Sequence, residues 1–395
     1  MKPVDNLQPL YMNAACIVDE WIYFTTSNSS RLFRLNLITN NLEALHLLRG
    51  TKNGVKFSGL YYYKGMIWMI PWYADTFYIY HIENSRVEQL PIPYEVSEYS
   101  DSKQFRKPVI RGKYLWLLPR EYPGIIKVDM EEKSYEIYDR WPPNASFNKT
   151  SKMNFRMMAL HGDNIYLFND ACSMSIKLSA ESGEMTEWKE GYNRSFGTVC
   201  NNKLYTSPVK KYEPVKIIAL DSDEAAAEVA LPGKIWENLD QYLYCYWYAK
   251  TINNKVFFMP HEANGIIVLD KETEKADILD IDISNYKTVR QHKNYAVYDI
   301  LEYKDMYLTI PYQGNKIVLF GSSGIAEKEY LLETDDRYVY TSFNENERFN
   351  LSNYTDIIRC ADFKKIKWKN DRHDTVNKNI GYSIHNKISG ELDDV

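Results

Sequence analysis

Short apolar runs separated by polar turns recur along most of this chain. Seven segments share one order: an apolar strand, a small residue or proline, a polar loop, a second apolar strand, a polar turn and a weaker third strand. They begin at Trp21 (WIYFTT, then RLFRLNL), Met66 (MIWMIP, then TFYIYHI), Tyr114 (YLWLLP, then GIIKVDM) and Asn164 (NIYLFN, then MSIKLS). The others begin at Lys203 (KLYTSP, then PVKIIAL), Lys255 (KVFFMP, then GIIVLD) and Met306 (MYLTIP, then KIVLF). Successive starts lie 39 to 52 residues apart, which brackets the roughly 40 to 50 residues of a four-stranded propeller blade.

The sixth position of each unit is Thr26, Pro71, Pro119, Asn169, Pro208, Pro260 or Pro311. Proline offers no ladder donor, so at the end of a strand it stops pairing and opens a loop. A further strand-like run precedes each unit, as in FSGLYYYKG before Met66 and YAVYDILEYKD before Met306. Each repeat therefore supplies four strands, A to D. The expected fold is all-β: a seven-bladed β-propeller of four-stranded antiparallel blades over residues 10–333. A blade cannot bury both faces alone, and seven stacked in a ring cover one another. The apolar centres of strands B and C are then inter-blade core. Strand A precedes B from the first blade and D ends the seventh, so no shared-strand clasp is evident and the manner of closure is left open. Residues 334–395 break the repeat. They are expected to form a C-terminal extension packing on the propeller, partly helical around Leu351, Tyr354, Ile357 and Ile358, with a loose acidic end at Glu391–Val395.

Residues 10–333 resemble the β-propeller superfamily. The stretches Asp129–Lys133, Ser179–Glu184 and Asp270–Lys275 are similar to the C-to-D turns of kelch-type and quinoprotein-type repeats. The double glycine of kelch repeats and the Trp-Asp ending of WD repeats do not recur. Ser179–Trp188 is similar to the Asp-box turn of sialidases, with Glu where that turn has Asp, and reads as an ordinary hairpin. The resemblance implies an architecture and no activity.

The 33 tyrosines and 9 tryptophans suit half-buried pleated surfaces. A net charge of −5 supplies no overall positive field for nucleic acid. No apolar run reaches the roughly 18 residues of a membrane span, and the first residues do not read as a secretory signal. The five cysteines, Cys16, Cys172, Cys200, Cys245 and Cys360, form no C-x-x-C pair. They are read as free thiols of a cytoplasmic protein, with neither zinc site nor disulfide framework. No metal site or cofactor is expected, since phosphate loops, nucleophile elbows and H-E-x-x-H pairs are missing.

By analogy with ligand-binding propellers, recognition belongs at the mouth of the central channel, on the face of the B-to-C and D-to-A loops. Arg106, Arg120, Arg156 and Arg194 fall there, and their guanidinium forks suit oxyanions. Tyr73, Tyr122, Tyr312 and Trp247 offer stacking platforms for sugar faces. Inter-blade ion pairing competes with the first role and core packing with the second. His261 and Glu262 are the acid/base candidates for a lyase or hydrolase. A non-catalytic binding or interaction module is favoured over that alternative, because aromatics and arginines are present without a convincing nucleophile. Its partner would be a small anionic or glycan-like ligand, or another protein.

Overall fold

The structure is a computed structural model, and it describes residues 7–48, 57–72, 74, 76–93, 105–119, 124–143, 155–169, 174–190, 196–222, 227–237, 245–284 and 297–339. The C-terminal segment expected to be helical and the acidic end lie outside the described residues. Seven four-stranded antiparallel sheets follow one another, each with its strands in sequence order. The innermost A strands are Met12–Val18, Phe57–Tyr63, Val109–Arg111, Phe155–His161, Gly197–Cys200, Tyr246–Ile252 and Val297–Tyr303. The B strands are Trp21–Thr26, Met66–Pro71, Tyr114–Leu117, Asn164–Asn169, Lys203–Thr206, Lys255–Pro260 and Met306–Pro311. This is a seven-bladed β-propeller.

Strand periodicity explains the ring. Successive side chains of a strand point to opposite faces, so each blade feeds two cores. In the first blade Ile22 and Phe24 pack toward the seventh, against Leu308 and Ile310. Tyr23, between them, packs toward the second, against Ile67 and Met69. In the second blade, Trp68 and Ile70 turn the other way, to Leu115 and Leu117 of the third. The remaining junctions, three to four, four to five, five to six and six to seven, each have a cluster of the same kind. The hydrophobic stabilisation is thus distributed over seven separate cores, one per neighbouring pair.

Pro71, Pro260 and Pro311 close their B strands, Pro119 bridges Phe105 across from it, and Pro208 follows the end of its strand. The ring nitrogen has no proton to donate, but the carbonyl still accepts. Pro71 O takes a bond from Phe105 N of the next blade at 3.1 Å, and Pro208 O one from Tyr246 N at 3.2 Å. Proline here ends one ladder and ties the next blade on.

Closure is by two short strands outside the blades. Leu7–Pro9 pairs antiparallel with Glu333–Asp335, the segment that follows the seventh D strand, Ala326–Leu331. Next to this ladder Leu10 N donates to Leu332 O at 2.8 Å, and Met12 and Gly314 form a bridge. Tyr330 Oη donates to Leu37 O at 2.6 Å, binding the seventh blade to the first.

Candidate functional site

A recurring irregularity positions the side chains at the channel. At the start of the A strand the register with strand B shifts by one residue in the first, second, fourth, sixth and seventh blades. The inserted residues are Asn13, Ser58, Arg156, Trp247 and Tyr298. In the third blade the pairs Phe105↔Pro119 and Val109↔Trp116 also enclose one extra residue on the A side, within the stretch that carries Arg106 and Lys107. A bulge re-aims a side chain and breaks the ladder locally. These bulges place equivalent positions of different blades around the channel, at the end of the A strands where the B-to-C loops begin.

Trp247 is the centre of an aromatic group drawn from the sixth and seventh blades. Its ring lies 4.5 Å from His261, 4.7 Å from Tyr312 and 5.7 Å from Tyr298, centroid to centroid. The Tyr312 contact is edge-to-face at 88°, the geometry that ring quadrupoles favour. The indole Nε1 donates to Val297 O at 2.7 Å, which fixes the plane of the ring. Trp247 and Tyr312 are half-buried, packed on the core of these two blades. His261 and Glu262 side chains are 12% and 8% exposed, with Nδ1 and Oε1 3.5 Å apart. Arg106 is buried, its guanidinium 5.4 Å from the centroid of the Trp72 ring in the neighbouring blade.

Below this group the channel is crossed by a charged cluster. Lys107, from the third blade, reaches the seventh, where its Nζ donates to Tyr298 O at 2.6 Å and pairs with Asp299 at 3.3 Å. Its ammonium also lies over the rings of Tyr248 and Tyr298, at 4.5 and 4.2 Å. Lys250 of the sixth blade reaches the same carboxylate at 3.3 Å and Ile300 O at 2.7 Å. Tyr298 Oη donates to Ser58 O of the second blade at 2.7 Å. Four blades thus meet through polar contacts in the centre of the ring. Desolvation lowers Lys107 to about 8, with Asp299 opposing the shift and Lys250 adding to it. Burial alone would raise the Asp299 carboxyl, yet Lys107 and Lys250 hold it below its ordinary value. Burial pushes the Tyr298 and Tyr61 hydroxyls well above theirs.

Of the residues expected at the mouth, Trp247, Tyr312 and His261 come together, with Glu262 beside His261, while Arg106 is held against Trp72. Tyr73, Arg120, Tyr122 and Arg194 lie outside the described residues. Arg156 occupies its bulge by backbone, and its side chain also lies outside the described atoms. Lys107, Lys250 and Asp299 were not singled out as a unit. The available signal was a charged residue inside each of two apolar A strands, Lys250 in YWYAKTI and Asp299 in VYDILEY, which asks for a partner when buried. Among the described residues, no group of three or more His, Cys, Asp or Glu is placed to hold a metal, and no helix is long and apolar enough to cross a membrane.

No protein-family profile matches the chain, and no curated protein is similar to it in sequence. Solved structures are similar in fold. One is a computationally designed protein, Ika8, with a TM-score of 0.51 at 8% identity over 86% of this chain and 93% of that one. Another, YCF48 bound to D1 peptide, has a TM-score of 0.53 at 10% identity over 80% of this chain and 94% of that one. A third is the extracellular domain of BT4673 of B. thetaiotaomicron, assigned as a hybrid two component system. Its TM-score is 0.53 at 13% identity, over 82% of this chain and 43% of that one. At these identities the likeness is one of fold.

Proposed function

We propose that this propeller is a non-catalytic binding module that recognises an anionic or polyhydroxylated, carbohydrate-like ligand at the mouth of its central channel. The observation that carries the reading is the convergence of Trp247, His261 and Tyr312, three half-buried rings brought from two blades to one point. Rigid aromatic rings bind the apolar faces of sugars at low entropic cost, and their polar tips keep the surface wet. Arg106 on Trp72, with Arg120, Arg156 and Arg194 as further candidates, would supply the charge complement to acidic groups. The plug of Lys107 and Asp299 gives such a ligand a floor.

The test is calorimetric titration of the full chain with a glucuronate-containing hexasaccharide. Saturable heat is expected, with affinity falling as salt is raised. Trp247→Ala and Tyr312→Ala should each weaken binding by about tenfold. An absence of heat would remove the ligand reading in favour of a protein-interaction scaffold. The catalytic alternative rests on His261 and Glu262 lying side by side at the same mouth. It predicts slow appearance of unsaturated or new reducing ends in the same hexasaccharide, abolished by His261→Ala.

A further inference from the structure

A concavity lies on the other side of the plug. It encloses about 460 Å3, within the range of roughly 300 to 1,000 Å3 typical of small-molecule sites. The A strands of the first, second, sixth and seventh blades line it, together with Pro108 and Ile110 of the third. Its open end is marked by the exposed residues Tyr62, Ile110 and Glu302, on the face of the A-to-B turns, opposite the aromatic mouth.

The walls are apolar and small. Ala14 and Ala15 of the first blade leave the space, while Leu60 and Leu301 cover the sides. Gly59 has a specific role: a Cβ there would fall 2.5 Å from the Tyr61 ring, so only glycine lets that ring fold back along the strand into the channel. The Tyr61 hydroxyl makes no hydrogen bond to a described residue. The closed end is electrically unbalanced. Lys250 lines it directly, and Lys107 stands behind Asp299, so two ammonium groups face one carboxylate. Asp299 is engaged on both oxygens: Oδ1 accepts from Ile300 N at 2.8 Å and from Lys250 at 3.3 Å, while Oδ2 is paired with Lys107. Lys250 has three ammonium protons and places two of them, on Asp299 and Ile300 O. The remaining carboxylate of the lining, Glu302, sits at the exposed rim and accepts from Asn253 Nδ2 at 2.9 Å.

We propose that this cavity binds a small monocarboxylate with an apolar body, its carboxylate received by Lys250 and the Tyr61 hydroxyl and its body by the Ala14, Leu60 and Leu301 walls. A monoanion restores neutrality to the cluster, and the apolar walls reward a hydrocarbon or aromatic frame. The site is independent of the carbohydrate reading, being on the opposite face of the plug.

The experiment titrates the full chain with 2-naphthoate and, separately, with its uncharged amide, 2-naphthamide. The acid should bind saturably at submillimolar concentration, and the amide about tenfold more weakly, as expected when a charged hydrogen bond is lost. Lys250→Met should weaken the acid by about tenfold and leave the amide unchanged, and Tyr61→Phe should weaken the acid a few-fold. Equal affinity for acid and amide, no heat with the acid, or full affinity for the acid in Lys250→Met would each overturn the proposal. Where Lys250→Met fails to fold, the wild-type comparison and Tyr61→Phe decide it.

Discussion

Each of the seven A-to-B hairpins has its first turn residue in the left-handed region, and in the second and fifth blades the next residue, Gly65 or Asn202, is there too. Asp19, Lys64, Gly112, Gly162, Asn201, Asn253 and Lys304 open these two-residue turns with φ between 43° and 57°. Such primed turns match the right-handed twist of the flanking strands, and they suit Gly and Asn but strain other side chains. Nothing lies within 4 Å of a Cβ built on Gly162. Gly162→Val should therefore cost about 1–2 kcal/mol from backbone conformation alone, and Lys304→Gly should return up to about 1 kcal/mol; chemical denaturation of both variants measures this. The C-to-D turns have their own residue-scale device. Asp129 Oδ1 and Asp270 Oδ1 each accept the backbone N–H groups two and three residues on, and both carboxyls are held below their ordinary range. Lys107 supplies a pH prediction. Its ammonium is at about 8 in the folded chain against 10.5 ordinarily, so between those values the unfolded chain holds more protons and this lysine makes stability rise with pH. The stability of wild type relative to Lys107→Met should accordingly increase from pH 8 to about 9.5, and a flat difference would mean that the ammonium is not desolvated. Asp299 works in the opposite range: its contribution is present above 3.8 and is lost as pH falls through its lower folded value.

Among the elements, the closing ladder is short and acts by its position. Leu7–Pro9 and Glu333–Asp335 have three paired residues, yet with them the first and seventh blades are fastened from both chain directions. Leu10 and Leu332 are fully buried beside it in the junction core. Leu10→Ala should cost about 2–5 kcal/mol, as much as a substitution in the middle of a blade, and a loss below about 0.5 kcal/mol in urea unfolding would show that the ring closes without this segment. Sequence pattern could reach the blades because alternation, proline and turn residues are local signals, repeated seven times. Pro71, Pro260 and Pro311 mark their strand ends for that reason. The clasp was not legible, since LQP and ETD carry no periodicity and their pairing is set by ring geometry. The bulges at Asn13, Ser58, Arg156, Trp247 and Tyr298 were not legible either, because an inserted residue is defined only by the register of the partner strand. The mouth was reached through spacing alone: Trp247 and Tyr312 could be assigned to one end of their blades, but the ring contact between them needed the sixth and seventh blades in place.

For the whole molecule, seven separate junction cores leave the axis as the place where polar groups can collect. Apolar side chains alternate toward the two neighbouring blades, so the inner ends of the A strands are the positions free for other chemistry. The chain uses them for a plug at mid-channel, an aromatic mouth above and a small-walled cavity below. Polar groups that bridge the third, sixth, seventh and second blades hold the ring rigid where the proposed ligand would rest. A surface assembled from neighbouring blades is preorganised by the fold, which lowers the cost of binding. The central claim is that the mouth around Trp247 is a ligand site. A crystal structure of the full chain grown with the glucuronate-containing hexasaccharide tests it directly. The account predicts a sugar ring stacked on Trp247 or Tyr312, with its carboxylate turned toward Arg106; an empty mouth at saturating hexasaccharide, or sugar bound only at the blade rims, would contradict it.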